Sequence, residues 1–140
     1  MAEYVYNAVQ TVEDGQNVLL NDSIPCTKGY VIHRNGSGIL TLRGITCNSF
    51  ARYQVEFNGN IAVPTGSTVG EISVALSING EPIQTSRARV TPAAVGNYFN
   101  VTSLANITVP KGCCFNLSVE NTSGIDIEVQ NANLTINRTA

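Results

Sequence analysis

The chain has 140 residues, of which 43% are hydrophobic and 13% are charged. This length lies within the range of about 100–200 residues typical of one domain, and the apolar fraction can fill one core without metal or disulfide staples. Eight Lys and Arg residues against ten Asp and Glu residues give a formal net charge of −2. A charge so close to neutral lacks the electrostatic footprint of a nucleic-acid-binding protein, so we expect one folded domain and no nucleic acid partner.

We expect no secretory signal at the amino terminus, because Glu3 stands where a basic region would begin and no apolar run follows. No window approaches the run of about 18 apolar residues that a membrane-spanning helix needs, so we expect no membrane partner. The protein is therefore expected to act in the cell that makes it, or to leave by lysis or by assembly into a particle.

Period-two alternation of apolar and polar residues predicts β-strands along the chain. It is clearest at residues 52–57, where Tyr53, Val55 and Phe57 share one face, and at 72–78, which runs into the turn dipeptide Asn79-Gly80. Residues 91–96 have some helical character but allow only one turn, so they are predicted as a loop. The other predicted strands are residues 18–20, 31–32, 39–42, 82–84 continuing to 88–90, 99–101, 107–109, 115–119, 125–129 and 133–137.

About eight to ten short strands separated by turns predict an all-β fold, a sandwich or a closed barrel, because both bury one face of each strand and limit open edges. The pattern is irregular before Val31. We therefore predict a main domain over residues 21–140, with residues 1–20 as its N-terminal strand or as an anchoring segment. An extended anchor would gain main-chain hydrogen bonds from a neighbour. Its apolar contacts would come from Tyr4, Val5, Tyr6 and Val9.

Four cysteines and one histidine are the residues best able to hold a metal, but their spacing does not form a site. There is no C-x-x-C pair and His33 lies outside any ligand spacing, so we expect no metal and no cofactor. Reduced thiols are the default in a cytosol, whereas a Cys26–Cys47 disulfide is the alternative in an extracellular particle. Adjacent strand residues point to opposite faces, so one of Cys113 and Cys114 should face inward.

No pattern indicates catalysis. His33 is the only histidine that could activate a nucleophile, and no G-x-S-x-G or cysteine-centred motif occurs, so it is interpreted as a solvent-facing strand residue. No G-x-x-x-x-G-K run is present to hold a nucleotide. We therefore predict that the protein is not an enzyme. Five carboxylates could in principle act in acid/base catalysis, but on the predicted strands they point toward solvent and no two stand out as a pair. They are Glu56, Glu71, Glu120, Asp126 and Glu128.

From about Arg52 onward the sequence resembles the tumour-necrosis-factor/complement-C1q-like jelly roll. The resemblance rests on the R-Y-x-V-x-F strand at residues 52–57, the V-x-L-x-x-N-G turn at 74–80, and the strand, Pro-Lys-Gly, strand passage at 107–119. It implies a jelly-roll β-sandwich that assembles as a homotrimer through the sheet containing Tyr53 and Phe99. The interface candidates lie opposite the core residues of that sheet, and they are Arg52, Gln54, Glu56 and Tyr98.

The whole chain also resembles small proteins carried by tailed phages and prophages of Firmicutes, at residues 60–64, 69–75, 90–95, 112–114 and 129–133. This likeness implies a virion structural protein that decorates a phage capsid or forms a head fibre. Its partner would be the major capsid protein or another virion protein, and it would be made in the bacterial host cytoplasm. One alternative is a bacterial cell-surface or spore-coat domain of the same fold, although the usual Gly-X-Y stalk does not occur in this sequence. Another is a cupin enzyme, which needs a histidine cluster.

Overall fold

The computed structural model describes residues 2–24 and 29–140, so the Cys26–Cys47 disulfide proposed from the sequence lies outside the described residues. In the described part, regular structure consists of β-strands and one 3-10 turn at Gln84–Ser86, and no helix there could cross a membrane. The strands are β1 (Ala2–Tyr6), β2 (Gln10–Val12), β3 (Asp22–Ile24), β4 (Val31–His33), β5 (Leu40–Arg43), β6 (Phe50–Ala62), β7 (Ile72–Ile78), β8 (Glu81–Pro82), β9 (Ala88–Val90), β10 (Phe99–Pro110), β11 (Cys114–Asn121) and β12 (Ile127–Arg138).

The strands form two antiparallel sheets that pack as a sandwich. The first sheet has the order β10-β6-β12-β1-β3, and β2 also pairs with β12. The second sheet has the order β4-β5-β11-β7-β8, and β9 also pairs with β7. The predicted all-β sandwich is thereby confirmed, and the closed-barrel alternative is not the one adopted.

The core lies between the inward faces of the two sheets, as the alternation predicts. On β6, Tyr53, Val55 and Phe57 are fully buried, and on β7 the same holds for Ile72 and Leu76. Burying one such side chain contributes about 1.5–3 kcal/mol relative to leaving it exposed. The alternation of buried and exposed positions therefore holds each strand in register, because a shift by one residue would expose its apolar face.

Two strands are longer than the sequence indicates. Residues 99–101 and 107–109 belong to one strand, β10, which continues through Ser103 and Ala105. Ser103 faces the core and is buried. Its hydroxyl donates a hydrogen bond to the carbonyl of Ser86, which satisfies the polar group inside the core. Residues 127–129 and 133–137 likewise belong to one strand, β12, whose register shifts between Gln130 and Asn133. Asn131 takes a φ of 55° at this bulge, a backbone conformation that Asn tolerates better than most residues.

The predicted strand at residues 18–20 is absent. Val18 and Leu20 are buried, but their N–H groups donate to two different segments, the carbonyls of Val119 and Ser37. Because these partners lie in separate parts of the fold, no continuous ladder forms. The apolar residues Val18 and Leu20 therefore indicate that this segment is anchored by burial, but they do not indicate a strand.

The amino-terminal residues are part of the sandwich. β1 pairs with β12 on one side and with β3 on the other, so it lies inside the first sheet. Tyr4 and Val12 are core residues, as is Leu20. Of the two alternatives predicted for residues 1–20, an N-terminal strand or an anchoring segment, Ala2–Tyr6 forms the strand, in the interior of the first sheet.

Truncating either of two fully buried side chains should destabilise the fold strongly. We expect Phe57→Ala and Leu76→Ala each to lower the free energy of unfolding by about 2–5 kcal/mol, because each leaves a cavity in a close-packed core. The exposed Arg52→Ala is the control and should change it by less than about 0.5 kcal/mol. Equal, small changes in the free energy of unfolding for all three variants, measured by urea denaturation, would show that the inward and outward faces of these strands are assigned the wrong way round.

Deleting residues 1–12 should prevent a stable fold. The deletion removes β1 from between β12 and β3, and it takes Tyr4 and Val12 out of the core. Val9→Ser is the matched control, because Val9 is about half exposed and should tolerate a polar side chain. Circular dichroism melting of both variants tests this expectation, and a truncated chain that melts like the intact protein would contradict it.

Candidate functional site

The outer face of the first sheet is a broad polar surface. Arg52, Gln54 and Glu56 alternate with the core residues of β6 and are exposed on this face, as the sequence predicts. Their neighbours on β10 are Thr108, Asn106 and Leu104, each directly opposite one of them in the register. The face is therefore built mainly of amides and hydroxyls, with few charges.

Cross-strand hydrogen bonds order the side chains of this face. The Asn100 Nδ2 atom donates to Asn60 Oδ1 at 3.1 Å, and Thr102 Oγ1 donates to Asn58 Oδ1 at 3.2 Å. Further along the sheet, Asn133 Nδ2 on β12 donates to Glu3 Oε2 on β1 at 2.9 Å. Such pairs hold side chains in one rotamer before any partner arrives, which lowers the entropy lost on binding.

Leu104 is the apolar residue at the middle of edge strand β10. It is 50% exposed and lies opposite Glu56, on the outward side of the strand. At one end of the same face, the guanidinium of Arg52 lies over the Phe50 ring, 5.2 Å from its centroid. The face thus combines an exposed apolar residue on its edge strand with ordered polar groups along β10 and on the strands beside it.

Tyr98 lies apart from the other three candidate interface residues. Its hydroxyl donates to Glu128 Oε2 at 2.7 Å, and Glu128 pairs with Ala62 at the far end of β6. Burial raises the pKa of Tyr98 to about 12, with further contributions from the hydrogen bond to Glu128 and from its charge. Ten residues of strand separate Arg52 from Ala62, about 33 Å. The four candidates therefore share a sheet but not one compact cluster.

The four candidate anchor residues do not form one surface. Tyr4 is 2% exposed and its ring meets that of His33 edge-on, with the centroids 4.8 Å apart. Tyr6 packs partly against the core, while Val5 points to the opposite face of β1 and is half-buried. Val9 is exposed in the loop between β1 and β2. Tyr4 therefore cannot serve as an anchor while the sandwich is folded.

His33 is a structural residue and not a solvent-facing one. Its Nδ1 atom lies 2.9 Å from Ser23 Oγ and its Nε2 atom lies 2.9 Å from the Ser37 carbonyl oxygen, so both ring nitrogens are engaged. Half-buried against Tyr4, it joins β3 to the loop that follows β4. Among the described residues, no group of three or more His, Cys, Asp or Glu side chains is arranged to hold a metal ion.

Three cysteines lie at the surface. Cys47, Cys113 and Cys114 are all exposed, so the prediction that one of the adjacent pair faces inward is wrong. The reason is local: Cys113 belongs to the turn between β10 and β11, where its N–H donates to the Pro110 carbonyl. Strand alternation does not apply in a turn, and Cys114 begins β11 with its side chain on the outer face, opposite Arg43.

The outer face of the second sheet is covered in part by its own side chains. Arg87 Nε donates to Ser73 Oγ at 3.0 Å and its Nη2 atom donates to the Thr122 carbonyl at 2.9 Å. Ser77 Oγ donates to Glu120 Oε1 at 3.3 Å, and burial raises the pKa of the Glu120 carboxyl. These contacts explain why β7 is buried on both faces although it alternates in polarity.

An open groove of about 480 Å³ lies beside this covered region and was not foreseen from the sequence. It joins residues from the segment after β2, the approach to β5, the turn between β7 and β8, and β11. Of its asparagines, only Asn79 carries a sequence prediction, as a turn residue, and no sequence pattern brings such distant residues together. The lining residues are Asn17, Ile39, Asn79, Gly80, Asn116 and Ser118.

Comparison with known proteins identifies the fold. The sequence matches no protein-family model and no curated protein. The structure is similar to the globular domain of zebrafish complement 1qA protein, with a TM-score of 0.61, 16% identity, and coverage of 96% of this chain and 94% of that one. The fold is therefore a jelly-roll β-sandwich like that of the C1q globular domain.

Two further structures are similar at lower scores. One is the EclA C-terminal domain, described as a sugar-binding protein, with a TM-score of 0.44, 17% identity and coverage of 94% of this chain and 79% of that one. The other is a CBM35 domain from Cellvibrio japonicus Abf62, with a TM-score of 0.34, 10% identity and coverage of 95% and 99%.

Proposed function

We propose that this protein is a non-enzymatic binding module that associates as a homotrimer through the outer face of its first sheet. The observation that carries the proposal is the ordered polar surface on β6, β10 and β12, with the exposed Leu104 on its edge strand. Side chains already fixed by cross-strand hydrogen bonds lose little entropy on association. Because the face carries few charges, it is suited to a partner whose surface is also polar but nearly uncharged.

A second copy of the chain has that character. With a net charge of −2 and only 13% charged residues, two copies repel each other weakly, and most groups on the face can donate or accept hydrogen bonds. A closed ring of three subunits buries the contact face of each around one axis. Arg52, Gln54 and Glu56 would then lie near that axis, while Tyr98 and Glu128 would lie at its far end.

A charge placed at the exposed apolar residue of this face, Leu104, should dissociate the trimer. We expect Leu104→Arg to shift the mass measured by light scattering from three chains to one, because an arginine there meets a neutral, desolvated surface. Val95→Arg is the matched control, since Val95 is also an exposed aliphatic residue but lies in the loop before β10. A monomeric wild-type protein at micromolar concentration would refute the trimer.

The biological setting that we propose is a virion surface, where the trimer decorates a phage capsid or forms a head fibre. The resemblance of residues 60–64, 69–75 and 90–95 to small phage and prophage proteins supports it, as does the nearly neutral exterior. The major capsid protein or another virion protein would be the partner, and synthesis would take place in the bacterial host cytoplasm. The second candidate is a bacterial cell-surface or spore-coat domain of the same fold.

Particle composition separates these two settings. We expect mass spectrometry of purified phage particles from the source strain, induced for prophage, to detect this chain in the particle fraction at a fixed ratio to the major capsid protein. The matched sample is the washed cell and spore envelope of the same culture. Detection in the envelope and absence from the particles would contradict the virion role and support the second candidate.

A further inference from the structure

The groove on the second sheet is lined by neutral polar side chains and one aliphatic side chain. Its lining combines three asparagines, one serine, one glycine and one aliphatic residue, with no charged side chain among them. Ile39 is 48% exposed and supplies the apolar part. The groove lies on the opposite side of the sandwich from the proposed trimer face, so a ligand could reach it in the assembled protein.

Two of the carboxamides are oriented by their oxygen atoms. Asn79 Oδ1 accepts the backbone N–H of Asn116 at 2.9 Å, and Asn116 Oδ1 accepts the hydroxyl of Thr41 at 3.3 Å. The Asn79 N–H in turn donates to the Asn116 carbonyl at 2.8 Å, which ties the turn to β11. With both oxygens engaged, each side chain keeps its NH₂ group, with two N–H donors, available at the groove.

Ser118 supplies an independent observation. It is 5% exposed and lines the groove, yet its hydroxyl has no hydrogen-bond partner in the part of the chain that the structure describes. Buried polar groups are normally paired. The other buried polar side chains of the described residues all have partners: Gln10, Ser73, Ser77, Ser86, Ser103 and Asn121. Ser118 is the exception among these side chains, but its oxygen is not enclosed, since the enclosed side-chain atom without a partner among the described residues is Arg138 Nη1. The Ser118 hydroxyl therefore faces the groove, where a ligand can contact it.

We propose that this groove binds a neutral saccharide. Fixed NH₂ donors match the hydroxyl and ether oxygens of a sugar ring, the Ser118 hydroxyl can donate or accept, and Ile39 can contact the C–H face of the ring. An anionic ligand is disfavoured, because the Glu120 carboxylate lies on the same outer face of β11, two residues from Ser118. With no aromatic side chain to stack on the ring, the expected dissociation constant is on the order of 1 mM.

The test uses nuclear magnetic resonance of the ¹⁵N-labelled full chain, titrated with short oligomers of glucose, galactose, mannose and N-acetylglucosamine, and with an oligogalacturonate as the anionic probe. We expect at least one neutral oligomer to shift the side-chain NH₂ resonances of Asn79 and Asn116, and the oligogalacturonate to leave them unchanged. No shift with any neutral oligomer, shifts confined to other surfaces, or preferential binding of the anionic probe would each overturn the proposal.

Isosteric variants locate the binding to the groove. Asn79→Asp and Asn116→Asp keep the accepting oxygens but remove the NH₂ donors, so each should weaken binding about tenfold, equivalent to about 1.4 kcal/mol. Asn97→Asp adds the same charge at an exposed position outside the groove and should leave binding unchanged. Equal binding by all three variants would contradict a site in this groove.

Ser118→Ala distinguishes a ligand-binding hydroxyl from a structural one. Because the Ser118 hydroxyl has no partner in the described part of the free protein, its removal should leave the melting temperature nearly unchanged while weakening saccharide binding severalfold. Ser86→Ala is the contrast, since Ser86 Oγ donates to the Ile83 carbonyl and its loss should lower the melting temperature. A Ser118→Ala protein that melts early but binds normally would refute the assigned role.

Discussion

Strand β12 is the element on which the rest of the fold depends. It pairs with β6 along one edge and with both β1 and β2 along the other, so it joins the beginning and the end of the chain in one sheet. The bulge at Asn131 lets a single strand serve these partners, because the shift in register realigns its apolar residues with the core. Most contacts of this kind are distant in sequence, so the fold gains its stability only when the whole sandwich closes.

This closure gives the protein two outer surfaces of different character. The first sheet presents a broad face whose amides and hydroxyls are already paired with one another across the strands. The second sheet covers β7 with Arg87 and Glu120, and it leaves beside it a groove where the Asn79 and Asn116 oxygens accept hydrogen bonds while their NH₂ groups have no partner among the described residues. A surface with satisfied hydrogen bonds is suited to packing against a broad partner, whereas unsatisfied donors in a concave site are suited to a small polar ligand.

The sequence predicts those features that depend on local alternation. Residues 72–78 form β7 with the predicted bounds, and Arg52, Gln54 and Glu56 lie on the outward face of β6 as expected, because one face of each strand is strongly apolar. Where an inward residue is polar or small, as at Ser103, the apolar signal breaks although the strand continues. The bulge in β12, the choice between a strand and an anchor for the first residues, and the groove could not be predicted, since each depends on tertiary contacts between distant segments.

The separation of the two surfaces has a consequence for binding strength. A groove with few donors and one aliphatic contact would bind the proposed saccharide weakly, at about millimolar dissociation constants. In the proposed trimer, three copies of the groove face outward on a rigid body, because the contact face lies on the other sheet. Binding of one saccharide unit of a repeating glycan then raises the effective concentration of the next unit at a neighbouring groove, and avidity exceeds the single-site affinity by factors of about 10²–10⁴ when the spacing allows it. Under the two proposals, association through the first sheet and binding through the second would support each other, since a trimer would convert a weak site into one that holds a polymeric surface.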